Sequence, residues 1–169
     1  MKKVILFALV LGVCGVLHNF VLAQEDPRYV VTFIKSNNPN NAPIRSATVV
    51  TVVNQSKDHA CNVQVEWFGD LSPSTPACTL TATLNPGIVR QFCSRFLPAT
   101  ITNCVSSEFI CTQAGSLPQG KAIVSSTTGF DCSLIAVDAR VYYTTPGDTA
   151  ISAISNSKVV FFGEGNLGD

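Results

Sequence analysis

The chain has 169 residues, with 11 basic and 11 acidic side chains and 46% hydrophobic residues. The balanced charge and the lack of a Lys/Arg-rich run exclude the electrostatic surface of a typical nucleic-acid-binding protein. The high apolar content excludes a largely disordered chain and predicts a globular protein with a buried core.

The first 23 residues have the layout of a secretory signal peptide. Lys2 and Lys3 precede an apolar run that ends at Leu17, shorter than the roughly 20 residues of a membrane span. The sequence before Gln24 suits signal peptidase, so we expect cleavage after Ala23. Residues 24–169 then form a single β-sandwich domain, with a flexible tail at about 163–169. An uncleaved anchor and lipidation of Cys14 are the alternatives.

Three strands are predicted in the first half of the mature chain. Tyr29–Lys35 is rich in β-branched and aromatic residues, and it is apolar enough to act as an exposed or donated edge strand that pairs with another chain. Ala47–Val53 is apolar on both faces, as expected for a central strand. Cys61–Phe68 alternates, so one face carries Cys61, Val63, Val65 and Trp67.

A hairpin is predicted next, with strands Cys78–Leu84 and Ile88–Arg95. The intervening Asn85-Pro86-Gly87 has the residues that a tight turn requires. In this register Cys78 lies opposite Cys93.

The segment from Gly120 to Thr144 predicts a short strand, a loop and then the cleanest strand of the chain. Its alternation puts one apolar row on the core and places Asp138 and Arg140 together on the outer face as an ion pair. The segment from Ala150 to Phe162 offers further strand residues, broken near Asn156. No segment shows a helical period with caps.

Six of the seven cysteines follow the predicted leader: Cys61, Cys78, Cys93, Cys104, Cys111 and Cys132. An even number in an exported chain indicates disulfides, with 15 possible pairings for six cysteines. We predict three bridges: Cys78–Cys93 across the hairpin, Cys104–Cys111 as a local loop closure, and Cys61–Cys132 by elimination.

Seven or eight short strands, with turn signals every 8 to about 15 residues, predict an all-β fold, an antiparallel immunoglobulin-like β-sandwich stapled by disulfides. Gly120–Ser125, Ile135–Val137 and Val141–Tyr143 resemble the last strands of exported bacterial immunoglobulin-like domains. Cys61–Trp67 is similar to their middle strand, and Leu84–Gly87 to their D–E turn. The resemblance covers about Ala47 to Phe162 and implies a fold, which does not by itself imply a function.

No set of residues points to catalysis or to a metal. Asp58-His59 is an acid–histidine pair in a predicted turn, without the serine motif of a nucleophilic triad, so we interpret His59 as a solvated loop residue. Cys-x-x-Cys is absent and His59 is the one histidine after residue 23, which argues against zinc. The carboxylates are scattered and are explained by surface solubility.

Two features remain open as binding or modification sites. Phe68, Tyr142 and Phe92 or Phe96 would form an aromatic patch if they were exposed, although core packing explains them equally well. Asn54-Gln55-Ser56 matches an N-glycosylation acceptor in a predicted turn, which a bacterial chain would leave unused.

These observations predict an exported, non-enzymatic structural or interaction module of the periplasm, cell envelope or medium, without cofactor or metal. Its partner would be another envelope or secreted protein, and neither nucleic acid nor a membrane span is expected. The alternatives are a glycan or small-ligand binding module, or a secreted enzyme inhibitor that uses a loop closed by Cys104–Cys111.

Overall fold

Two antiparallel β-sheets face each other across a common core. The computed structural model of the chain describes residues 28–34, 45–69, 74–95, 97, 109–111, 119–127, 132, 134–145 and 150–162. In these residues one sheet has five strands in the order β4-β3-β6-β1-β9, and the other has four in the order β5-β2-β7-β8. The predicted all-β sandwich with disulfide staples is therefore confirmed.

The described residues form nine strands, one or two more than the sequence predicts, because the segment after Ala150 divides between the two sheets. The strands are β1 (Arg28–Ile34), β2 (Arg45–Asn54), β3 (Cys61–Gly69), β4 (Cys78–Leu84), β5 (Val89–Cys93), β6 (Gly120–Ser126), β7 (Ile135–Thr144), β8 (Ile151–Asn156) and β9 (Lys158–Phe162).

The prediction that β4 and β5 pair with each other as a hairpin is wrong. β4 pairs with β3 in the five-stranded sheet, whereas β5 pairs with β2 in the four-stranded sheet. The turn between them has the expected chemistry, because Gly87 has a φ of 72° and the Ile88 N–H donates to the Asn85 carbonyl at 3.1 Å. This turn carries the chain from one sheet to the other, so Cys78 and Cys93 lie on different sheets.

Alternating side chains from both sheets fill the main core. Cys61, Val63, Val65 and Trp67 of β3 are fully buried, as their alternation predicts. They pack against the inner face of the four-stranded sheet, to which β2, β5 and β7 contribute Val50, Val52, Phe92, Ile135 and Ala139. Burial of these side chains supplies the main stabilisation of the fold.

A second apolar cluster covers part of the outer face of the four-stranded sheet. Ala47 and Val49 of β2 pack there with Tyr142 of β7, beneath Leu97 and Ile110. This cover explains why Ala47–Val50 is buried on both faces and why Tyr142, on the predicted outer row of β7, is only 8% exposed. Asp138 and Arg140 lie on the same row but outside the covered area, and both are exposed.

β1 lies inside the five-stranded sheet. It pairs with β6 on one side and with β9 on the other, so the expectation that Tyr29–Lys35 forms a free edge is wrong. Within the described strands, the edges of this sheet are β4 and β9. β9 reaches its place through a one-residue crossing from β8, at Ser157, whose N–H donates to the Ala139 carbonyl at 2.9 Å.

The Tyr29 side chain connects the two sheets. Its hydroxyl donates to the Ile135 carbonyl of β7 at 2.6 Å, and its ring lies 4.8 Å from that of Phe161 in β9, centroid to centroid. Partial burial raises the pKa of the Tyr29 phenol above its usual value of 10.0. The neutral phenol is therefore the form that the fold favours.

Tyr29→Phe is expected to lower the free energy of unfolding by about 1 kcal/mol at neutral pH, because a partly buried hydrogen bond between the sheets is lost. A raised pKa in the folded state means that this contribution is complete below the unfolded pKa and decreases as pH rises through the folded pKa. Denaturant titrations of both proteins should show that their difference narrows above pH 10.0. A difference that grows with pH would contradict this role for Tyr29.

Candidate functional site

One end of the sandwich contains a disulfide that joins the two sheets. This end, called the loop end, comprises the β2–β3 connection, the β4–β5 turn and the start of β7. Cys61, at the start of β3, is bonded to Cys132, just before β7, with a Cα–Cα distance of 5.1 Å. Both cysteines are buried, and the predicted Cys61–Cys132 pairing is confirmed.

The other two predicted pairings are wrong. Cys78 is bonded to Cys111 with a Cα–Cα distance of 6.1 Å, so neither Cys78–Cys93 nor Cys104–Cys111 forms. Cys78–Cys93 fails because β4 and β5 lie in different sheets, which removes the register on which that pairing depended. Cys104–Cys111 fails because Cys111 is bonded to Cys78 across a longer separation in sequence. Cys93 is itself disulfide-bonded, and its partner lies outside the described residues, as does Cys104.

Peptide mapping of the non-reduced protein is expected to yield a Cys61–Cys132 peptide and a Cys78–Cys111 peptide. Cys104 is the remaining cysteine after residue 23, so we expect it to be linked to Cys93. A Cys78–Cys93 peptide in protein that has not been allowed to exchange disulfides would contradict the sheet assignment of β5.

Asn54 is the polar centre of the loop end. It is the last residue of β2 and is 1% exposed. Its side-chain amide donates to the His59 carbonyl at 2.8 Å and to the Leu84 carbonyl at 2.9 Å. Its Oδ1 accepts the Ser56 N–H at 3.0 Å. One side chain therefore ties the β2–β3 connection to the end of β4.

The backbone of the same residue fixes the β4–β5 turn. The Asn54 N–H donates to the Ile88 carbonyl at 3.0 Å, and the Gly87 N–H donates to the Asn54 carbonyl at 2.9 Å. The next residue, Gln55, donates its N–H to the Leu134 carbonyl at 2.8 Å. The start of β7 is thus held to the same point as the two connections.

The predicted acid–histidine pair belongs to this network through its backbone. The Ser56 hydroxyl accepts the N–H groups of Asp58 and His59 at 3.3 and 3.0 Å, and the side chains of both residues are exposed. Ser56 therefore shapes the turn while His59 remains at the surface. This agrees with the interpretation of His59 as a solvated loop residue.

Asn54→Ala is expected to lower the free energy of unfolding by about 3 kcal/mol, because two buried carbonyls and one N–H lose their partner. Asn62→Ala is the matched control, since the Asn62 side chain accepts one exposed hydrogen bond, from the Thr83 hydroxyl at 2.6 Å, and the substitution keeps the backbone carbonyl. Its effect should stay within about 1 kcal/mol. Equal losses in the two variants, measured by denaturant unfolding, would show that the Asn54 network contributes little.

An exposed apolar patch lies at the loop end. Val53 of β2 pairs with Val89 of β5 and with Ala136 of β7, so these three side chains form a row on the outer face of the sheet. Leu134 precedes Ala136 by two positions and extends the row, and Ile88 adjoins it at the β4–β5 turn. We call these residues the loop-end patch: Val53, Ile88, Val89, Leu134 and Ala136.

The described part of the chain exposes large apolar side chains at five positions, and three of them belong to this patch. Ile88 is 41% exposed, Val89 is 52% exposed and Leu134 is 54% exposed. The other two, Ile154 and Phe161, lie in β8 and β9. Exposed apolar side chains that cluster on one surface are a feature of binding sites, whereas isolated ones are common everywhere.

Polar groups border the patch. The adjoining row of the same sheet face is Gln91, Thr51 and Asp138, and Asp138 accepts from the Arg140 Nε at 3.0 Å. This is the ion pair predicted from the alternation of β7, and both side chains are more than half exposed, at 57% and 52%. A polar border around an apolar centre is the general layout of protein–protein interfaces.

The predicted aromatic patch does not form. Phe92 is fully buried in the main core, Phe68 is 6% exposed with Lys121 over its ring, and Tyr142 lies under the second cluster. Phe96 lies outside the described residues, as do Asp70, Glu108 and Asp131 among the carboxylates. Glu66 lies on the outer face of the five-stranded sheet, opposite Thr79 and Ile123.

Sequence reasoning missed the loop-end patch. Its residues come from three strands, and their proximity depends on the pairing of β2 with both β5 and β7. The sequence predicts Ile88 and Val89 as residues of a hairpin strand and does not place them beside Leu134. The available signal was that Leu134, a large apolar residue, occupies the row that also carries Asp138 and Arg140.

Among the described residues, no group of histidine, cysteine or carboxylate side chains is arranged to hold a metal ion. The same part of the chain contains no helix that is both long and apolar enough to cross a membrane. Its disulfides indicate an oxidising location outside the cytoplasm.

Comparisons with known proteins give no family. No protein-family model matches the chain, and no curated protein matches it. A solved structure described as the crystal structure of Thermotoga maritima 1070 is similar to it, with 7% sequence identity and a TM-score of 0.38. The similarity covers 81% of this chain and 96% of that chain. At this level the likeness carries no argument about function.

Proposed function

We propose that the chain is an exported, non-enzymatic interaction module that binds another envelope or secreted protein through the loop-end patch. The observation that carries the proposal is the clustering of three exposed apolar side chains, Ile88, Val89 and Leu134, on one rigid end of the sandwich. A partner that covers these side chains gains the free energy of removing apolar surface from water.

Rigidity of the loop end favours this use of the patch. The Cys61–Cys132 bridge and the Asn54 hydrogen bonds fix the backbone on which the patch residues are carried. A surface that is already ordered pays little conformational entropy on binding, so more of its contact energy appears as affinity.

Export is supported by the disulfides together with the leader sequence. A signal peptide cleaved after Ala23 would deliver residues 24–169 to an oxidising compartment where these bridges persist. An immunoglobulin-like relationship is supported by the pairing of β2 with β5 and of β3 with β6, which corresponds to the B–E and C–F pairs of immunoglobulin domains. The pairings of β1 with β6 and of β2 with β7 depart from that plan.

The alternatives have less support. A glycan-binding module usually presents exposed aromatic rings, and three of the four candidate aromatic side chains are buried. An inhibitor loop closed by Cys104–Cys111 is not available, because Cys111 is bonded to Cys78. Neither alternative accounts for the loop-end patch.

The proposal is tested by site-specific photo-crosslinking of the full chain in cells that export it. A photoreactive phenylalanine analogue replaces Val89 or Leu134 in the patch. The controls carry it in place of Ile154, which is 51% exposed in β8, or of Thr81 on the edge strand β4. We expect a discrete protein adduct from the two patch positions and none from the two controls.

Adducts that arise from the control positions but not from the patch would overturn the choice of surface. Leu134→Asp is expected to weaken adduct formation from position 89 at least about tenfold, since it places a charge in an apolar contact. Each variant must retain the Cys61–Cys132 bridge for the comparison to count. A catalytic activity that is lost in His59→Ala would contradict the non-enzymatic assignment.

A further inference from the structure

The sequence contains one N-glycosylation acceptor triplet, Asn54-Gln55-Ser56. Acceptor triplets that carry a glycan lie on the surface, because the sugar is bulky and polar. Here the acceptor is the residue that organises the loop end, and its side chain is 1% exposed.

Both hydrogens of the Asn54 amide are in use. One bonds the His59 carbonyl at 2.8 Å and the other the Leu84 carbonyl at 2.9 Å. The Ser56 hydroxyl of the same triplet accepts two backbone N–H groups. The groups that a glycosyltransferase must contact are therefore engaged in holding the turn.

The chemistry of the transfer conflicts with this arrangement. In N-glycosylation the amide nitrogen forms a bond to C1 of a sugar, and the bond from C1 to the diphosphate of a polyprenyl-diphosphate oligosaccharide breaks. The nitrogen loses one proton, and the polyprenyl diphosphate leaves. The substituted Asn54 amide keeps one N–H, so it can donate to only one of the His59 and Leu84 carbonyls. The sugar ring would also have to fit at a side chain that is 1% exposed.

We propose that folding and glycosylation of Asn54 exclude each other: the site is an acceptor in the unfolded chain alone, and a glycan there prevents the native loop end from forming. The inference does not depend on the proposed partner. It means that modification of the triplet depends on whether the chain is folded, which the triplet sequence alone does not show.

The test uses the full mature chain and a purified oligosaccharyltransferase with a polyprenyl-diphosphate-linked oligosaccharide. Two preparations are compared, the native disulfide-bonded protein and the same protein reduced and unfolded. We expect modification of Asn54 in the unfolded chain and at least about tenfold less in the native protein, since loss of the buried Asn54 hydrogen bonds makes exposure of the amide a rare opening.

Two variants serve as controls. Ser56→Asn removes the triplet and keeps a side-chain oxygen for the Asp58 and His59 N–H groups. Adding Lys158→Thr to this variant creates a triplet at Asn156, which is exposed at the end of β8. The double variant should be modified in the native state as well, which shows that the enzyme accepts folded chains of this protein.

The modified unfolded chain is then oxidised and refolded beside unmodified chain. We expect the yield of protein with the Cys61–Cys132 and Cys78–Cys111 bridges to fall at least about tenfold. Native protein that is modified at Asn54 as fast as the unfolded chain would overturn the proposal, as would equal refolding yields. The proposal would also be overturned if Asn54 of the unfolded chain did not accept the sugar while Asn156 of the double variant did.

Discussion

The buried amide of Asn54 is the interaction on which the loop end of the sandwich depends. The β2–β3 connection and the β4–β5 turn both run between the sheets, where backbone carbonyls and N–H groups would otherwise be left without partners. A primary amide suits this position because it offers two donors and an acceptor in one plane. It satisfies the carbonyls of His59 and Leu84 together with the N–H of Ser56. The Cys61–Cys132 bridge closes the same end covalently.

Local patterns in the sequence identify the strands and the faces of β3 and β7, because alternation of side chains is a property of a single strand. They do not reveal which strands are neighbours. The residues around Asn85-Pro86-Gly87 specify a tight turn equally well for a hairpin and for a passage between sheets, and the choice depends on packing across the core. The error in the Cys78–Cys93 pairing follows from that ambiguity, whereas the error in Cys104–Cys111 comes from assuming that cysteines close in sequence pair with each other. Cys61–Cys132 does form, although its prediction came by elimination from two pairings that are wrong.

Exposure on the outer face of the four-stranded sheet was harder to predict. Tyr142 and Asp138 share one row of β7, yet the first is buried and the second is exposed. The difference arises from Leu97 and Ile110, which are distant in sequence and cover only one end of the sheet. The uncovered end carries the loop-end patch. A pattern within β7 contains no information about where that cover stops, so the candidate site became visible only with the tertiary structure.

The position of β1 has a consequence for the order in which the protein can be assembled. Both strands that flank β1 come from the second half of the chain, and one of them, β9, is the last of the described strands. During synthesis β1 therefore cannot pair on both sides until β6 and then β9 have been made, and such distant pairings form slowly. A chain that ends before Lys158 would leave the apolar edge of β1 open to other molecules. The edge of β1 is thereby protected by a strand that lies more than 120 residues further along the chain.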